Sequence, residues 1–457
     1  PRLCSYIGGG SVTVGHDVRT TSPLLAHMAA AGVMAGGSDA VYLGLAPTPV
    51  VAYSVPRSRS KAGIAVTASH NPPPDNGIKV FDERGMEYTL KMEESLEELI
   101  LDGDLLRRHA PWNQVGSLVE SYDIIDDYVR SIVDKLSPSR RKRLDLKLGV
   151  DCANGAASLV TPRILKMIGV SRVVSFNCHP DGMFPGRHPE PRPDVLEPLT
   201  RAGEIMGLHA ILAHDGDADR LALTLPHVGF IKQDLLIALF AMYKLMDKRG
   251  AVIVSVDVGR EVEDIVERMG GTLVRAKLGK IHEKLKETPG AVLAAEPWKL
   301  IDPEWGPWVD GIYQAALIAM ISIEEGETPL DLVVKLPFYP SARISVRFQS
   351  DQDKLRVYTR FAERVRGELT NRAVSVSEID GIRIDYDDGS WLLVRASGTE
   401  PKVRIYAQSM DKDRLEEIIE KSLGILLEEA QKAGAQVIDV ERYVDLGFGL
   451  GRHNRAS

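Results

Sequence analysis

"SVTVGHDVRTTSPLLAHMAAAGVMAGGSDAVYLG", residues 11–44, decides the fold. Its opening SVTVGHD is β-rich, SPLLAHMAAAGVMAGG has helical composition and a glycine stop, and DAVYLG returns to strand composition. Strand, helix and strand in that order form one βαβ unit, whose strands lie parallel. The succession returns in LKLGVD, AASLVTPRILKMIG and RVVSFN, and again in AVIVSVD, REVEDIVERMG and GTLVRAK. In each unit the first strand ends on an acid: Asp17, Asp151 and Asp257. Parallel sheets bind ligands beyond the carboxyl ends of their strands, but capping of the following helix is the simpler expectation for each acid.

The last stretch follows another rule. From about residue 340, SARISVRF alternates like an antiparallel strand, DGIRIDYDDGSWLLVRAS reads as a hairpin, and VRIYAQS adds a strand. DKDRLEEIIEKSLGILLEEAQKAG then carries apolar residues at helical spacing, an amphipathic helix laid on that sheet. Seams are expected near HAPWNQVGS, after Pro226 and at KLPFYPS. The reading is therefore α/β: three similar α/β domains with mixed, largely parallel sheets, then a C-terminal α+β domain, at residues 1–117, 118–226, 227–337 and 338–457. The closing GFGLGRHNRAS lacks the strand-to-helix context of a dinucleotide loop and is expected to be unstructured.

A chain of 457 residues exceeds what one core supports, in keeping with several domains. Its net charge of −8 argues against a general nucleic-acid binder, which needs clustered Lys and Arg. Cys4, Cys152 and Cys178 show no CxxC spacing, so neither a disulfide framework nor a structural zinc site is expected and a reducing compartment is the default. No charged-then-apolar leader opens the sequence, and the greasiest stretch, LLIALFAMY, is too short to cross a bilayer. The expectation is a cytoplasmic protein with no membrane association.

Three stretches carry chemistry. HDGDADR sets Asp215, Asp217 and Asp219 two apart, a period that points their carboxylates to one side of an extended loop. Three such charges persist together chiefly around a cation, and oxygen-only ligands favour Mg²⁺. RASGTEPKVR forms a hydroxyl-rich turn at Ser397, Gly398 and Thr399, flanked by Arg395 and Arg404, whose planar forks suit phosphate. TASHNPPPDNGIKV holds Ser69 next to His70, then three prolines that fix φ, then an Asn76-Gly77 turn able to return Lys79 toward the serine. An extended backbone would point His70 away from Ser69, so no Ser-His dyad is implied. A stiff loop offering one hydroxyl to a metal suits phosphoryl transfer, which rests on positioning and charge neutralisation.

TASHNPPPDNGIKVF, HDGDADR and RASGTEPKVR, in this order, resemble the α-D-phosphohexomutases, a family that includes phosphomannomutase/phosphoglucomutase and phosphoglucosamine mutase; APTPV, DCANGAAS and FPGRHPEP are similar to its patterns too. The resemblance spans about residues 12–430 and implies four domains around a central cleft. It implies that Ser69 carries a phosphoryl group and, with Asp215, Asp217 and Asp219, ligates Mg²⁺. His70 and Lys79 would neutralise the transferring phosphate, and Arg220 would orient the acidic loop. The loop of Arg395, Ser397, Gly398, Thr399 and Arg404 would hold the phosphate that is not reacting. Lys277 in AKLG and Glu296 match substrate-binding positions. The implied reaction interconverts hexose 1-phosphate and hexose 6-phosphate, of glucose or mannose, through a hexose 1,6-bisphosphate that also serves as activator. The other readings are phosphoglucosamine mutase, a magnesium-dependent phosphatase and a non-catalytic sugar-phosphate binder. The implied partner is a hexose phosphate, and the protein is expected as a monomer or homodimer.

Two departures from the family stand out. Its members open with a GTxGxRG-like segment and a helix, whereas PRLCSYIGGGSVTVG passes almost directly to the first strand; loss of that segment would cost catalysis and core packing. The sugar-reading loop, GExSGH in the family, is AAEPWKL here, with Trp298 at the serine position and Leu300 at the histidine position. Beside Glu296, Lys299 is then the loop's candidate for contributing a positive charge to the substrate.

Overall fold

A computed structural model describes residues 1–101, 109–138, 142–447 and 452–456, the last group by backbone alone. The chain divides into two compact units, residues 1–233 with 282–335, and residues 234–281 with 336–457. Three mixed, largely parallel α/β sheets and a C-terminal antiparallel sheet make up the architecture, as expected.

In the first unit, β1 (Val12–His16), β2 (Ala40–Leu45), β3 (Ala62–Val66), β4 (Ile78–Asp82) and β5 (Leu118–Glu120) form a sheet of order β4-β3-β1-β2-β5. β1 pairs parallel with β2 and β3, and β4 turns back antiparallel on β3. Every residue of β1 and β3 is buried, as befits strands covered on both faces. Helix Ser22–Ala35 packs Ala26, Ala30 and Val33 onto Val12, Val14 and Val66. A short helix, Arg2–Tyr6, precedes β1 where the sequence reading passes almost directly to the strand; its Cys4 joins the same core.

The second sheet repeats the plan with β6 (Lys147–Asp151), β7 (Arg172–Phe176), β8 (Ala210–His214), β9 (Leu221–Leu225) and β10 (Gly229–Phe230), in the order β10-β9-β8-β6-β7. β6 lies parallel to β7 and β8, and β9 is antiparallel to β8. Parallel pairing of β6 with β7 brings the residues just past both strands together, and Cys152 and Cys178 form a disulfide there. This corrects the expectation drawn from their spacing: 26 residues separate them in sequence, but the crossover returns the chain to within 5.0 Å between Cα atoms. None of Asp17, Asp151 and Asp257 caps the next helix, where Thr21, Val160 and Gly259 hold the cap positions.

Of the third sheet, β11 (Ala251–Ser255) and β12 (Thr272–Ala276) pair parallel in the second unit, and β13 (Ala291–Glu296) and β14 (Lys299–Ile301) pair antiparallel in the first. The C-terminal sheet runs β16 (Ala373–Ser377), β17 (Ile382–Tyr386), β18 (Trp391–Ala396), β19 (Lys402–Gln408), β15 (Ser341–Phe348), β20 (Val437–Asp445) and β21 (Arg452–Ala456). Helices Asp351–Glu368 and Lys412–Lys432 cover one face, packing Val357, Phe361, Ile419 and Leu426 against Ile344, Ile384, Val394 and Ile405. Residues 452–456, expected to lack structure, pair antiparallel with β20.

Candidate active site

The loop between β3 and β4 places Ser69 at φ 49°, a left-handed conformation that a serine adopts only when its surroundings impose it. Those surroundings are Arg19 and Asp17. The Arg19 guanidinium donates to the carbonyls of Ser69, Asn71, Pro72 and Asp75, so one buried side chain grips the loop at four points. Asp17 orients that guanidinium through its Nε at 3.0 Å and accepts the hydroxyls of Ser22 and Thr67. Thr67 in turn accepts the N–H of Ser69 at 2.8 Å. The left-handed turn also swings His70 back, with its Nδ1 3.3 Å from Ser69 Oγ, contrary to the separation expected of extended backbone.

The acidic loop follows β8. One carboxylate oxygen from each of Asp215, Asp217 and Asp219 lies within 4.8 Å of the others, and all three residues are buried. The loop is bent rather than extended, with Ala218 at φ 66°, yet the carboxylates converge as expected. A Cβ on Gly216 would stand 2.6 Å from the Ser69 carbonyl, so glycine there permits the two loops to approach. Ser69 Oγ donates to Asp215 Oδ2 at 2.7 Å, across 146 residues of sequence. From β4, Lys79 donates to Asp217 Oδ2 and Asp219 Oδ2, both at 2.8 Å. Thr48 donates to Asp217 Oδ2 at 2.6 Å, and the Arg220 N–H to Asp215 Oδ1 at 3.2 Å. The Arg220 guanidinium stands 3.8 Å from Asp215 and 3.9 Å from Asp219. Lys299 Nζ approaches Asp219 Oδ2 to 3.9 Å.

Charges this dense shift one another. Burial, then the neighbouring Asp217 and Asp219, raises the Asp215 carboxyl well above its ordinary value. Burial opposes ionisation of Asp219 as well, but Lys79, Lys299 and Arg220 hold it below the usual carboxylate range. Lys79 stays charged, because Asp217 and Asp219 outweigh its own burial. His70 is lowered to about 3 by burial and then by Arg220, which leaves its imidazole neutral at neutral pH. The residues fit a hard divalent cation, because Asp217 Oδ1 and Asp219 Oδ1 are buried with no hydrogen-bond donor, the acceptor geometry such an ion satisfies.

The acidic loop has its own clamp, which sequence reasoning missed together with that of Arg19. Asp151 pairs with the Arg187 guanidinium, and Arg187 donates to the carbonyl of His214, immediately before the trio. The signals were present, in DVRT directly after the first strand and in FPGRHPEP, but nothing in a sequence shows which carbonyl a distant arginine will reach.

Glu296 is buried at the end of β13, opposite Lys299 in register. Trp298 turns between them at φ 77°, its ring 5.5 Å from that of Phe230 and its side chain packed against the cluster of Leu196, Ala213 and Ala222. Its N–H donates to Gln233, and its carbonyl accepts the N–H of Leu221. The tryptophan therefore packs against the second sheet's layer.

In the second unit, Arg395 on β18 and Arg404 on β19 stand directly opposite each other. Like charges so placed repel. Asp380 takes Arg395 Nη2 at 3.0 Å and Glu400 accepts from Arg404 Nη2 at 2.8 Å, while both Nε atoms are buried with no acceptor. Between the strands, Ser397, Gly398 and Thr399 form the turn, with the Ser397 N–H donating to the Lys402 carbonyl at 2.8 Å. Lys277 follows β12 in an exposed loop whose Leu278 N–H donates to Asp380 at 3.2 Å.

Four family models cover most of the chain: Phosphoglucomutase/phosphomannomutase alpha/beta/alpha domain I over residues 3–107, domain II over 126–228, domain III over 232–338, and the C-terminal domain over 344–424. The chain is 38% identical over 444 residues to a phosphopentomutase of Thermococcus kodakarensis, covering 94% of this chain and 96% of that protein. It is 36% identical to a probable phosphoglucosamine mutase of Methanopyrus kandleri, covering 93% and 92%. Among solved structures, a phosphoglucomutase/phosphomannomutase family protein of Burkholderia thailandensis matches with a TM-score of 0.82 and 29% identity over 95% of this chain and 92% of that one.

Proposed function

This chain is a phosphomutase of the phosphoglucomutase/phosphomannomutase family, and we propose that it interconverts hexose 1-phosphate and hexose 6-phosphate, of glucose or mannose, through a phosphoserine at Ser69. The observation that carries this is the hydrogen bond from Ser69 Oγ to Asp215, which joins the stiff loop to the acidic trio. Asp215, Asp217, Asp219 and Ser69 would hold Mg²⁺, whose charge lowers the cost of bringing a phosphoryl group among carboxylates. Lys79 supplies a fixed positive charge at the same place, and Arg220 positions the trio through its backbone N–H. His70, neutral, offers a hydrogen bond at the serine rather than a charge. The turn at Ser397, Gly398 and Thr399, with Arg395 and Arg404, binds the phosphate that is not being transferred. Lys277, Glu296 and Lys299 contact the sugar phosphate.

The proposed domains are residues 1–117 with the phosphoserine loop, 118–226 with the metal loop, 227–337 with the sugar loop and 338–457 with the phosphate loop. Hexose 1,6-bisphosphate primes Ser69. The protein acts in the cytoplasm, where sugar phosphates are retained, as a monomer or homodimer with no nucleic-acid or membrane partner. No helix among the described residues is long and apolar enough to cross a membrane.

A second reading, glucosamine phosphate as substrate, is favoured by the relatives named probable phosphoglucosamine mutase and by the absence of the GExSGH cue. The test supplies Mg²⁺ and a trace of glucose 1,6-bisphosphate with the 1-phosphates of glucose, mannose, glucosamine and ribose in turn. Formation of glucose or mannose 6-phosphate upholds the leading reading. Turnover confined to glucosamine or ribose replaces it, and free phosphate alone would mark a phosphatase. Intact mass should show one phosphoryl group that Ser69→Ala lacks.

A further inference from the structure

Both catalytic loops are held from behind by a buried arginine that donates to their main-chain carbonyls, and the phosphate loop of the second unit has a counterpart. Lys354, in the first turn of helix Asp351–Glu368, is buried with its side chain 7% exposed. Its ammonium donates to the carbonyl of Ser397 at 2.8 Å and to that of Glu400 at 3.2 Å, and pairs with Asp351 at 2.6 Å. All three of its protons are engaged, and none is left for a ligand.

We propose that Lys354 is a positioning residue for phosphate recognition, acting by fixing the peptide plane between Ser397 and Gly398. This rests on the reading of that turn as a phosphate loop. In a trans peptide the C=O and the following N–H point in opposite directions within one plane. A lysine that holds the Ser397 carbonyl toward the helix therefore turns the Gly398 N–H away from it, to the side open to an anion. The second bond, to Glu400, pins the far end of the turn ahead of Pro401, so the turn cannot rotate as a body. Without the ammonium, two carbonyls lose a charged donor and the plane is free to flip, which would present oxygen instead of N–H to phosphate.

Glucose 6-phosphate is titrated calorimetrically into the full chain in EDTA, where no phosphoryl group is transferred, with inorganic phosphate as a second probe. Loss of a charged hydrogen bond and of one aimed N–H predicts about tenfold weaker binding of both probes to Lys354→Met. Lys354→Arg, which keeps a buried donor, should recover most of the affinity. The circular dichroism spectrum and urea midpoint of each variant separate lost recognition from lost folding. Gly398→Pro gives an independent arm: it removes the N–H and leaves the lysine, at a position where a Cβ meets nothing within 4 Å. It should weaken both probes as Lys354→Met does. Unchanged binding in Lys354→Met or in Gly398→Pro, alongside weakened binding in Arg395→Lys, overturns the role of Lys354 and leaves the phosphate loop standing. Unchanged binding in Arg395→Lys as well would remove the loop reading and the inference together.

Discussion

Arg19 donates to the main-chain carbonyl of Ser69 at 2.9 Å, so the backbone that presents the hydroxyl is held by a cation that does not face it. The same guanidinium reaches Asn71, Pro72 and Asp75, which makes the loop's shape depend on a planar fork with donors on several edges. Arg19→Lys keeps the charge but cannot serve four carbonyls. Steady-state turnover should fall at least a hundredfold with KM changing little, because nucleophile placement is lost rather than substrate binding. Arg19→Met leaves Asp17 buried and unpaired and should cost about 3–5 kcal/mol in urea unfolding. Wild-type turnover in Arg19→Lys would show that the prolines suffice to shape the loop.

Lys79 neutralises carboxylates that a divalent ion held by the trio would share, so removing the lysine should increase dependence on such an ion. In EDTA, Lys79→Met is expected to lose about 3 kcal/mol of stability, because Asp217 and Asp219 face each other without their cation. Millimolar Mg²⁺ should raise the thermal midpoint of this variant more than that of wild type. Equal shifts in the two proteins would disconnect the lysine from the ion site.

Asp310 supplies a pH signature that none of the proposed site residues carries. Burial raises its carboxyl to about 6, against hydrogen bonds from the Tyr313 N–H, Trp305 and Tyr128 that favour the ionised form. The folded protein keeps a proton that the unfolded chain releases near its ordinary value of 3.8. That contribution to stability is complete below the unfolded value and disappears as pH rises through about 6, a loss of about 3 kcal/mol for a shift of this size. Asp310→Asn should remove this part of the slope when urea midpoints at pH 4.5 and pH 7 are compared with wild type. An unchanged difference between the two pH values would rule out the buried proton.

The Cys152–Cys178 disulfide closes a loop of 26 residues beside the Arg187 clamp. Alkylation without reductant should label Cys4 alone, and only on unfolding, since Cys4 is buried. Cys152→Ala with Cys178→Ala should cost about 3.5 kcal/mol from the freed loop. Full labelling of all three cysteines in the unreduced, unfolded protein would show that the pair does not form in solution.

The strand-helix-strand succession was legible because side-chain period and glycine stops are local properties, and β1, β2, β6, β7, β11 and β12 fall where that pattern sets them. So was the convergence of Asp215, Asp217 and Asp219, which lie within five residues of one another. The posture of His70 was not, because it depends on Ser69 adopting a left-handed turn that local preference disfavours and Arg19 enforces. The disulfide escaped notice for a similar reason: its spacing resembles no motif, and only the parallel pairing of β6 with β7 joins its ends.

Residue order by itself therefore determined which side chains are available: a hydroxyl on a stiffened loop, three clustered acids, and a turn flanked by arginines. Tertiary structure decided which atoms they face. It set Ser69 against Asp215, Lys79 between Asp217 and Asp219, and Arg19, Arg187 and Lys354 behind the loops they hold. The physical reason is that local pattern fixes a strand or a turn, whereas a buried cation takes whichever carbonyls the packed chain brings within reach of its donors.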